Sequence, residues 1–312
     1  MTGIVLLNLG GPETIEDVRP FLYRLFSDRR IIRLGPAPLQ KPIAWLISAM
    51  RASKTKEAYG LIGGGSPILR ITRGQASALE DALRGEGDFR VYVAMRYTPP
   101  FTDEAVGQAR RDGAERLIGL TLYPHYSKAT TGSSMLVFEE AAAREGMSFS
   151  AVTSWFDHPL YVEALADVIR KKLRPGMEVL FSAHSLPVRF IEEGDPYVDE
   201  IMGTIRAVAQ KVPMSWHLGY QSRSGPVKWL EPSTEEALRR LASEGAREVL
   251  MVPVSFVSDH IETLYEIDIL YKSVGEGFGL RIERTESLNT HPLLIGALKE
   301  LALKEARKAG RT

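Results

Sequence analysis

The feature that most constrains this chain is that it is written twice. Thr102-Asp103-Glu104-Ala105-Val106, then Gly113-Ala114 and an apolar run from Leu117 to Leu122, recur 132 positions later. There they read Thr234-Glu235-Glu236-Ala237-Leu238, Gly245-Ala246 and Val249 to Val254. In each copy a Thr followed by acidic residues suits a helix start, the apolar spacing follows a helix, Gly closes it, and a short β-rich run reads as a buried strand. Two tandem copies of one unit limit the folds to those in which each copy buries its own core.

The repeat extends outward. Asp157-His158-Pro159-Leu160 and Thr290-His291-Pro292-Leu293 each precede a closing amphipathic helix, with Pro at the first helical position. Upstream, Ile4 to Leu9 and Val179 to Ala183 are apolar strands, breaking at Gly10-Gly11-Pro12 and at His184-Ser185-Leu186-Pro187. Val91 to Tyr97 and Ser215 to Tyr220 supply second strands. Strands alternating with helices imply parallel sheets covered on both faces. The expected fold is therefore α/β, with two similar Rossmann-like domains, each a four-stranded parallel sheet flanked by helices. Arg174-Pro175-Gly176 marks the expected boundary, giving domains 1–175 and 176–312. Ligands in such folds bind beyond the carboxyl ends of the strands, so the default site is the cleft between those ends.

Composition removes several classes of function. With no cysteine among 312 residues, thiolate metal sites, iron–sulfur clusters and Cys nucleophiles are excluded. Lys plus Arg and Asp plus Glu number 39 each, which argues against nucleic acid as a partner. The N-terminus carries neither a basic leader nor a small-residue cleavage site, so a cytoplasmic location is expected. No window reaches about 18 apolar residues, so no membrane span is expected. The greasiest segment, residues 38–50, is flanked by Arg33, Arg51, Lys54 and Lys56; it reads as a buried or lid helix, or as an apolar lip touching a lipid surface or greasy ligand.

The strand ends carry the chemistry-bearing residues. His158 and His291 hold equivalent places before Pro in both halves, and His217 lies inside a strand, so packing explains all three. His125, His184 and His260 fall in strand-end loops. After the third strand of the second half, Asp259, His260, Glu262 and Glu266 follow one another, with Glu262 and Glu266 on one helical face. A helix-start acid such as Asp259 is commonly a dipole partner. His with carboxylates and no thiolate suits a divalent ion held weakly. Gly63-Gly64-Gly65 and Leu9-Gly10-Gly11-Pro12 lack the spacing of a dinucleotide fingerprint. Thr130 to Ser134 could cradle an anion at a helix start.

In this order the segments resemble the ferrochelatase family from end to end. The resemblance is carried by Leu6-Leu7-Asn8-Leu9-Gly10-Gly11-Pro12, Ile62-Gly63-Gly64-Gly65-Ser66-Pro67, Met95-Arg96-Tyr97 and Tyr123-Pro124-His125-Tyr126-Ser127 with Thr130 to Ser134. It continues through Ser182-Ala183-His184-Ser185-Leu186-Pro187, Tyr220-Gln221-Ser222-Arg223-Ser224-Gly225-Pro226, Trp229-Leu230-Glu231-Pro232 and Ser258-Asp259-His260-Ile261-Glu262-Thr263-Leu264-Tyr265. The resemblance implies insertion of Fe2+ into protoporphyrin IX, the last step of haem biosynthesis. Iron and porphyrin would be substrates, with no resident cofactor and no iron–sulfur cluster.

It also implies that His184 and Glu262 are the catalytic and metal-contacting pair, serving Fe2+ binding or proton removal, with His260 and Glu266 as a supporting relay. Leu9, Arg96, Tyr126, Ser127, Ser185 and Trp229 would contact the porphyrin. Residues 38–50 become part of a lip admitting porphyrin, resting peripherally on the inner face of a membrane. In the coproporphyrin-using branch a Tyr usually stands where this chain has Leu9, so Leu9 points to the protoporphyrin-using branch. A coproporphyrin III or other tetrapyrrole chelatase, a non-catalytic haem or porphyrin carrier, and a nucleotide-binding Rossmann enzyme are the alternatives. The Asp259–Glu266 cluster counts against the carrier and the missing fingerprint against the last.

Overall fold

A computed structural model describes residues 1–309. Two four-stranded, wholly parallel sheets organise it, as expected. The first contains β1 (Thr2–Asn8), β2 (Phe89–Met95), β3 (Arg116–Thr121) and β4 (Ser148–Val152), in the order β2-β1-β3-β4. The second contains β5 (Glu178–His184), β6 (Trp216–Gln221), β7 (Glu248–Pro253) and β8 (Arg281–Arg284), in the order β6-β5-β7-β8. The two orders are the same, as the repeat requires.

β1 and β5 are central strands, paired on both sides and buried nearly throughout. That is expected of a parallel sheet covered on both faces. In each sheet the chain passes from the central strand to one neighbour and then crosses to the other side. The carboxyl ends of β1 and β3, and of β5 and β7, therefore flank the point where strand order reverses, which is where open α/β sheets bind ligands.

The helices follow the repeat closely. α1 (Val18–Ser27), α2 (Gln40–Leu61) and α3 (Ile68–Ala82) fill the long connection between β1 and β2. α4 (Thr102–Arg111) and α5 (Ser133–Arg144) flank β3, and α6 (Pro159–Lys172) follows β4. The second half adds α7 (Val188–Glu192), α8 (Tyr197–Lys211), α9 (Thr234–Ser243), α10 (Lys272–Gly277) and α11 (Pro292–Ala309). α4 and α9 are the two copies of the repeated helix.

Their caps depart slightly from expectation, because the preceding residue, not Thr102 or Thr234, is the cap. Ser233 accepts from the Glu236 backbone N–H through Oγ, and Glu236 accepts from Ser233 N, which is a complete capping box. At α4 only the Glu104 half of that box exists, because Phe101 has no side-chain acceptor.

Two compact units emerge, one comprising residues 1–123, 127–154 and 298 onward, the other 124–126 and 155–297. Each unit holds one sheet, but the division differs from the expected boundary near residue 175. α6 packs with the second unit, where the Tyr161 hydroxyl donates to the Val254 carbonyl, and the last part of α11 belongs to the first. α6 thus groups with the unit that follows it in sequence, and α11 is divided between the two.

In the first unit, Gly10 has φ +84°, and a Cβ there would lie 2.3 Å from Thr98 Oγ1. A Cβ on Gly65 would meet the Glu13 carbonyl oxygen at 2.0 Å, and Ser66 N donates to Pro12 O at 2.6 Å. These glycines clip the Gly63–Pro67 segment onto the turn after β1. Close packing, not phosphate binding, accounts for them.

Candidate active site

The second unit assembles most of the candidate catalytic residues at its strand-reversal point. His184 is the last residue of β5, and Glu262 opens a π-helix, Glu262–Tyr271, beyond β7. His184 Nδ1 lies 2.8 Å from Glu262 Oε2. The main chain of His184 is fixed on both sides: its N–H donates to Ser255 Oγ at 3.0 Å, and its carbonyl accepts from the Tyr197 hydroxyl at 3.0 Å. With Nδ1–H turned to the carboxylate, the Nε2 lone pair faces outward, and 36% of the side chain is exposed.

Glu262 is further enclosed, at 15% exposure. The Ser222 hydroxyl lies 2.9 Å from Glu262 Oε2 and 2.6 Å from Glu266 Oε2, bridging the two carboxyl groups. Gln221 Nε2 donates to the Glu262 carbonyl at 2.9 Å and to Glu266 Oε2 at 3.0 Å. Ser222 occupies the left-handed region, with φ 67°, which is strained for a residue other than Gly. That strain aims its hydroxyl between the two acids.

The electrostatics divide the acids by role. Burial alone would lower the His184 pKa, but the Glu262 charge and hydrogen bond outweigh it and raise it above the ordinary histidine value. Burial would likewise raise Glu262, yet His184 holds it well below the carboxylate range. Glu266 is pushed up to about 7 by burial and by the Glu262 charge.

His260 sits differently from the expected relay. Its Nδ1 meets the Ser258 carbonyl at 3.0 Å, not a carboxylate, and burial lowers its pKa. Phe256 stacks edge-on with both His260 and His184, at ring distances of 4.3 and 6.4 Å. The continuous hydrogen-bonded chain is therefore His184–Glu262–Ser222–Glu266, with His260 packed beside it. Among the described residues no three His, Asp or Glu side chains gather as a metal site. The groups available to a passing cation are His184 Nε2 and the carboxylates of Glu262 and Glu266.

His125, His217 and His291 each pair within the second unit. His125 is buried, meets Thr204 Oγ1 at 2.8 Å and packs against Tyr161 and Tyr197; burial drives its pKa down to about 3. His217 pairs with Glu178, and His291 with Asp167. Asp259 is more than a dipole partner, since Asn289, Ser287, Thr263 and Arg284 all donate to it.

The expected porphyrin contacts fare unevenly. Leu9 is half-buried immediately after β1 in the first unit, with Arg96 on the adjoining strand end, whose N–H donates to Asn8 O at 2.9 Å. The Arg96 guanidinium, however, is committed to Asp28 and to Ser133 Oγ, so it is charge-compensated within its own unit. Ser127 is buried and accepts from Ala129 N, which makes it a helix cap. Tyr126 is half-buried, and its backbone N–H donates to Glu200. In the second unit Ser185 Oγ and Trp229 Nε1 are buried polar atoms with no hydrogen-bond partner, and Trp229 bridges to Pro187 through the backbone. Ser222, Gln221, Ser255 and Tyr197 were not singled out from sequence as site residues. Gln221 and Ser222 lie in the Tyr220–Pro226 motif and Ser255 stands at the strand end before Asp259, the sequence signals that pointed toward them.

The fold resembles that of solved chelatases. It resembles the sirohydrochlorin chelatase SirB of Bacillus subtilis subspecies spizizenii, solved with cobalt, at TM-score 0.57, 12% identity and coverage of 98% of this chain and 94% of that one. It also resembles CbiX, the terminal enzyme of sirohaem biosynthesis in denitrifying bacteria, at TM-score 0.51, 12% identity and 96% coverage of both. At that identity the likeness establishes the fold alone.

Sequence settles the family. The ferrochelatase family model matches residues 1–306. Proteins named ferrochelatase from Geotalea uraniireducens and Desulfotalea psychrophila are 52% and 50% identical, each aligned over 97% or more of both chains. A ferrochelatase from Synechocystis is 49% identical over 96% of this chain and 81% of its own. The chain belongs to the ferrochelatase family, whose enzymes insert iron into a porphyrin.

Proposed function

We propose that this enzyme metallates protoporphyrin IX with Fe2+, with His184 accepting pyrrole protons and Glu262 and Glu266 handling the cation and the proton's exit. The observation that carries this reading is the 2.8 Å His184–Glu262 pair with Nε2 left outward at the strand-reversal point. Metallation replaces two N–H protons by one Fe2+ and releases both protons. A flat macrocycle keeps its nitrogen lone pairs in the ring plane, so one face must be bent to expose them. Binding of the greasy periphery offsets that strain. His184 Nε2 takes a proton, Glu262 stabilises the imidazolium, and Ser222 links the charge to Glu266. Iron and porphyrin are both substrates, and no resident cofactor is required.

The protoporphyrin preference rests on Leu9, which offers no oxygen to a metal. Purified enzyme given Fe2+ anaerobically with protoporphyrin IX or coproporphyrin III should turn over the former at least about tenfold more efficiently, a difference one apolar or polar contact supplies. A reversed preference overturns the substrate assignment. Tight porphyrin binding without metallation would favour a carrier.

Membrane contact is the second part of the proposal, and α2 supports it. The helix turns its small residues, Ala44, Ser48 and Ala52, inward, while Leu39 just before it and Trp45, Leu46 and Met50 on it stay exposed, Trp45 by 58% and Met50 by 73%. Large apolar side chains gathered on an outer face mark an interaction surface. Buried Gln40 anchors the start of the helix, donating to Phe26 O and Ile32 O. No helix among the described residues is long and apolar enough to cross a membrane. We assign this face to a lipid surface, on the cytoplasmic side. Replacing Trp45 and Met50 with Ser should weaken binding to anionic vesicles about tenfold or more without changing the melting temperature. Unchanged partitioning would refute the contact.

A further inference from the structure

We propose that Arg284, which touches none of the reacting groups, is the positioning residue that holds Glu262 and Glu266 in register with His184. The inference rests on the reading of the site given above. Arg284 ends β8, is 12% exposed, and places its guanidinium between two carboxylates that bracket the catalytic segment. Nε and Nη2 fork both oxygens of Asp268 at 2.8 Å each. Nη1 donates to Asp259 Oδ1 at 3.1 Å, to the Thr285 carbonyl at 3.1 Å and to Ser287 Oγ at 3.2 Å. Asp259 in turn accepts from Thr263 Oγ1, inside the π-helix, at 3.0 Å. One side chain therefore ties the residues before the π-helix to a residue seven positions into it, the span that carries His260, Glu262 and Glu266.

The geometry of winding makes this a positioning device and not only a stabilising ion pair. A π-helix has about 4.4 residues per turn against 3.6 in an α-helix, and long π segments are rare. In the wide winding Asp268 lies roughly 130° around from Glu262 and 160° from Glu266, on the far side from the two acids. Rewinding residues 262–268 as α-helix would rotate Asp268 by about 110° relative to Glu262. The bidentate fork to Arg284 and the Glu262–His184 contact are thus compatible together only with the wide winding. In that winding Glu262 meets His184, and Ser222 spans both acids. Arg284 enforces from behind what Ser222 and Gln221 complete in front.

The test uses the full-length enzyme with Fe2+ and protoporphyrin IX varied separately. Arg284→Gln should lower kcat/KM for Fe2+ about a hundredfold, as a misplacement of about 1 Å does, while the porphyrin KM stays within about twofold. Asp268→Asn, at a more exposed position, should give the same asymmetric loss and supplies the readout should Arg284→Gln fail to fold. The double variant should be no worse than either single variant, and Arg284→Lys should recover part of the activity. Wild-type kinetics in the folded variants, additive losses, or equal losses toward both substrates would each overturn the inference. Failure of the unaltered enzyme to insert iron would instead overturn the reading of the site itself.

Discussion

His184→Ala should lower the turnover of iron insertion about a thousandfold while porphyrin still binds within a few-fold of the normal affinity. The magnitude is that of removing a positioned general base. The selectivity follows from geometry, because His184 presents only Nε2 outward while its other edge and its backbone are taken up by Glu262, Ser255 and Tyr197. Little porphyrin surface then depends on the imidazole, whereas every released proton does. The same variant separates the two roles open to His184. As proton acceptor its loss lowers kcat and leaves the KM for Fe2+ nearly unchanged; as first metal ligand its loss raises that KM. Anaerobic initial rates with Fe2+ varied, beside fluorescence titration with protoporphyrin, decide between them. Near-normal turnover would sink the catalytic assignment altogether.

The parts of this molecule legible in its sequence are those governed by local rules. Repeated apolar runs fixed two parallel sheets, and Pro159 and Pro292 marked helix starts, since both depend on short-range periodicity and on Pro lacking an N–H. His184 and Glu262 were singled out as candidates because one ends a strand and the other lies in the segment beyond one. What stayed hidden depends on long-range packing. Nothing in the segment from Glu262 to Tyr271 distinguishes a π-helix from an α-helix, because the same apolar spacing fits both. The pairing of Arg96 with Asp28, 68 residues away in sequence, is equally silent, so a charge expected to face substrate also carries an ion pair within its own unit. Ser127, expected to contact porphyrin, also caps a helical turn, which the sequence did not signal. Ser222 became visible only when its positive φ and its two acidic neighbours were seen together.

Glu262→Gln is the substitution that should separate charge from shape at the centre of this network. Gln keeps an acceptor for His184 Nδ1–H and fits the same space, so the fold should survive, yet the carboxylate's charge is gone. Efficiency toward Fe2+ should fall by about two orders of magnitude, since the imidazolium formed on proton transfer loses its buried counter-charge. The pH profile should move in a defined direction. With Glu262 present, His184 has a raised pKa, and below it the base is already protonated and rates fall. Without that charge, burial is left as the dominant influence and lowers the His184 pKa, so the acid limb should shift to lower pH. Stability should respond in a matching window. Glu262, lowered in the fold, contributes above its ordinary value of 4.5, and that contribution is lost as pH falls through its lower folded value. His184, raised in the fold, contributes below its ordinary 6.5, and that is lost as pH rises through its higher folded value. The melting-temperature gap between native enzyme and variant should therefore be widest between those two values. It is narrowed by relief of Glu266, whose pKa should drop once its charged neighbour is removed. An acid limb that stays put or moves upward would show that Glu262 does not set the basicity of His184, and the proton path through it would have to be abandoned.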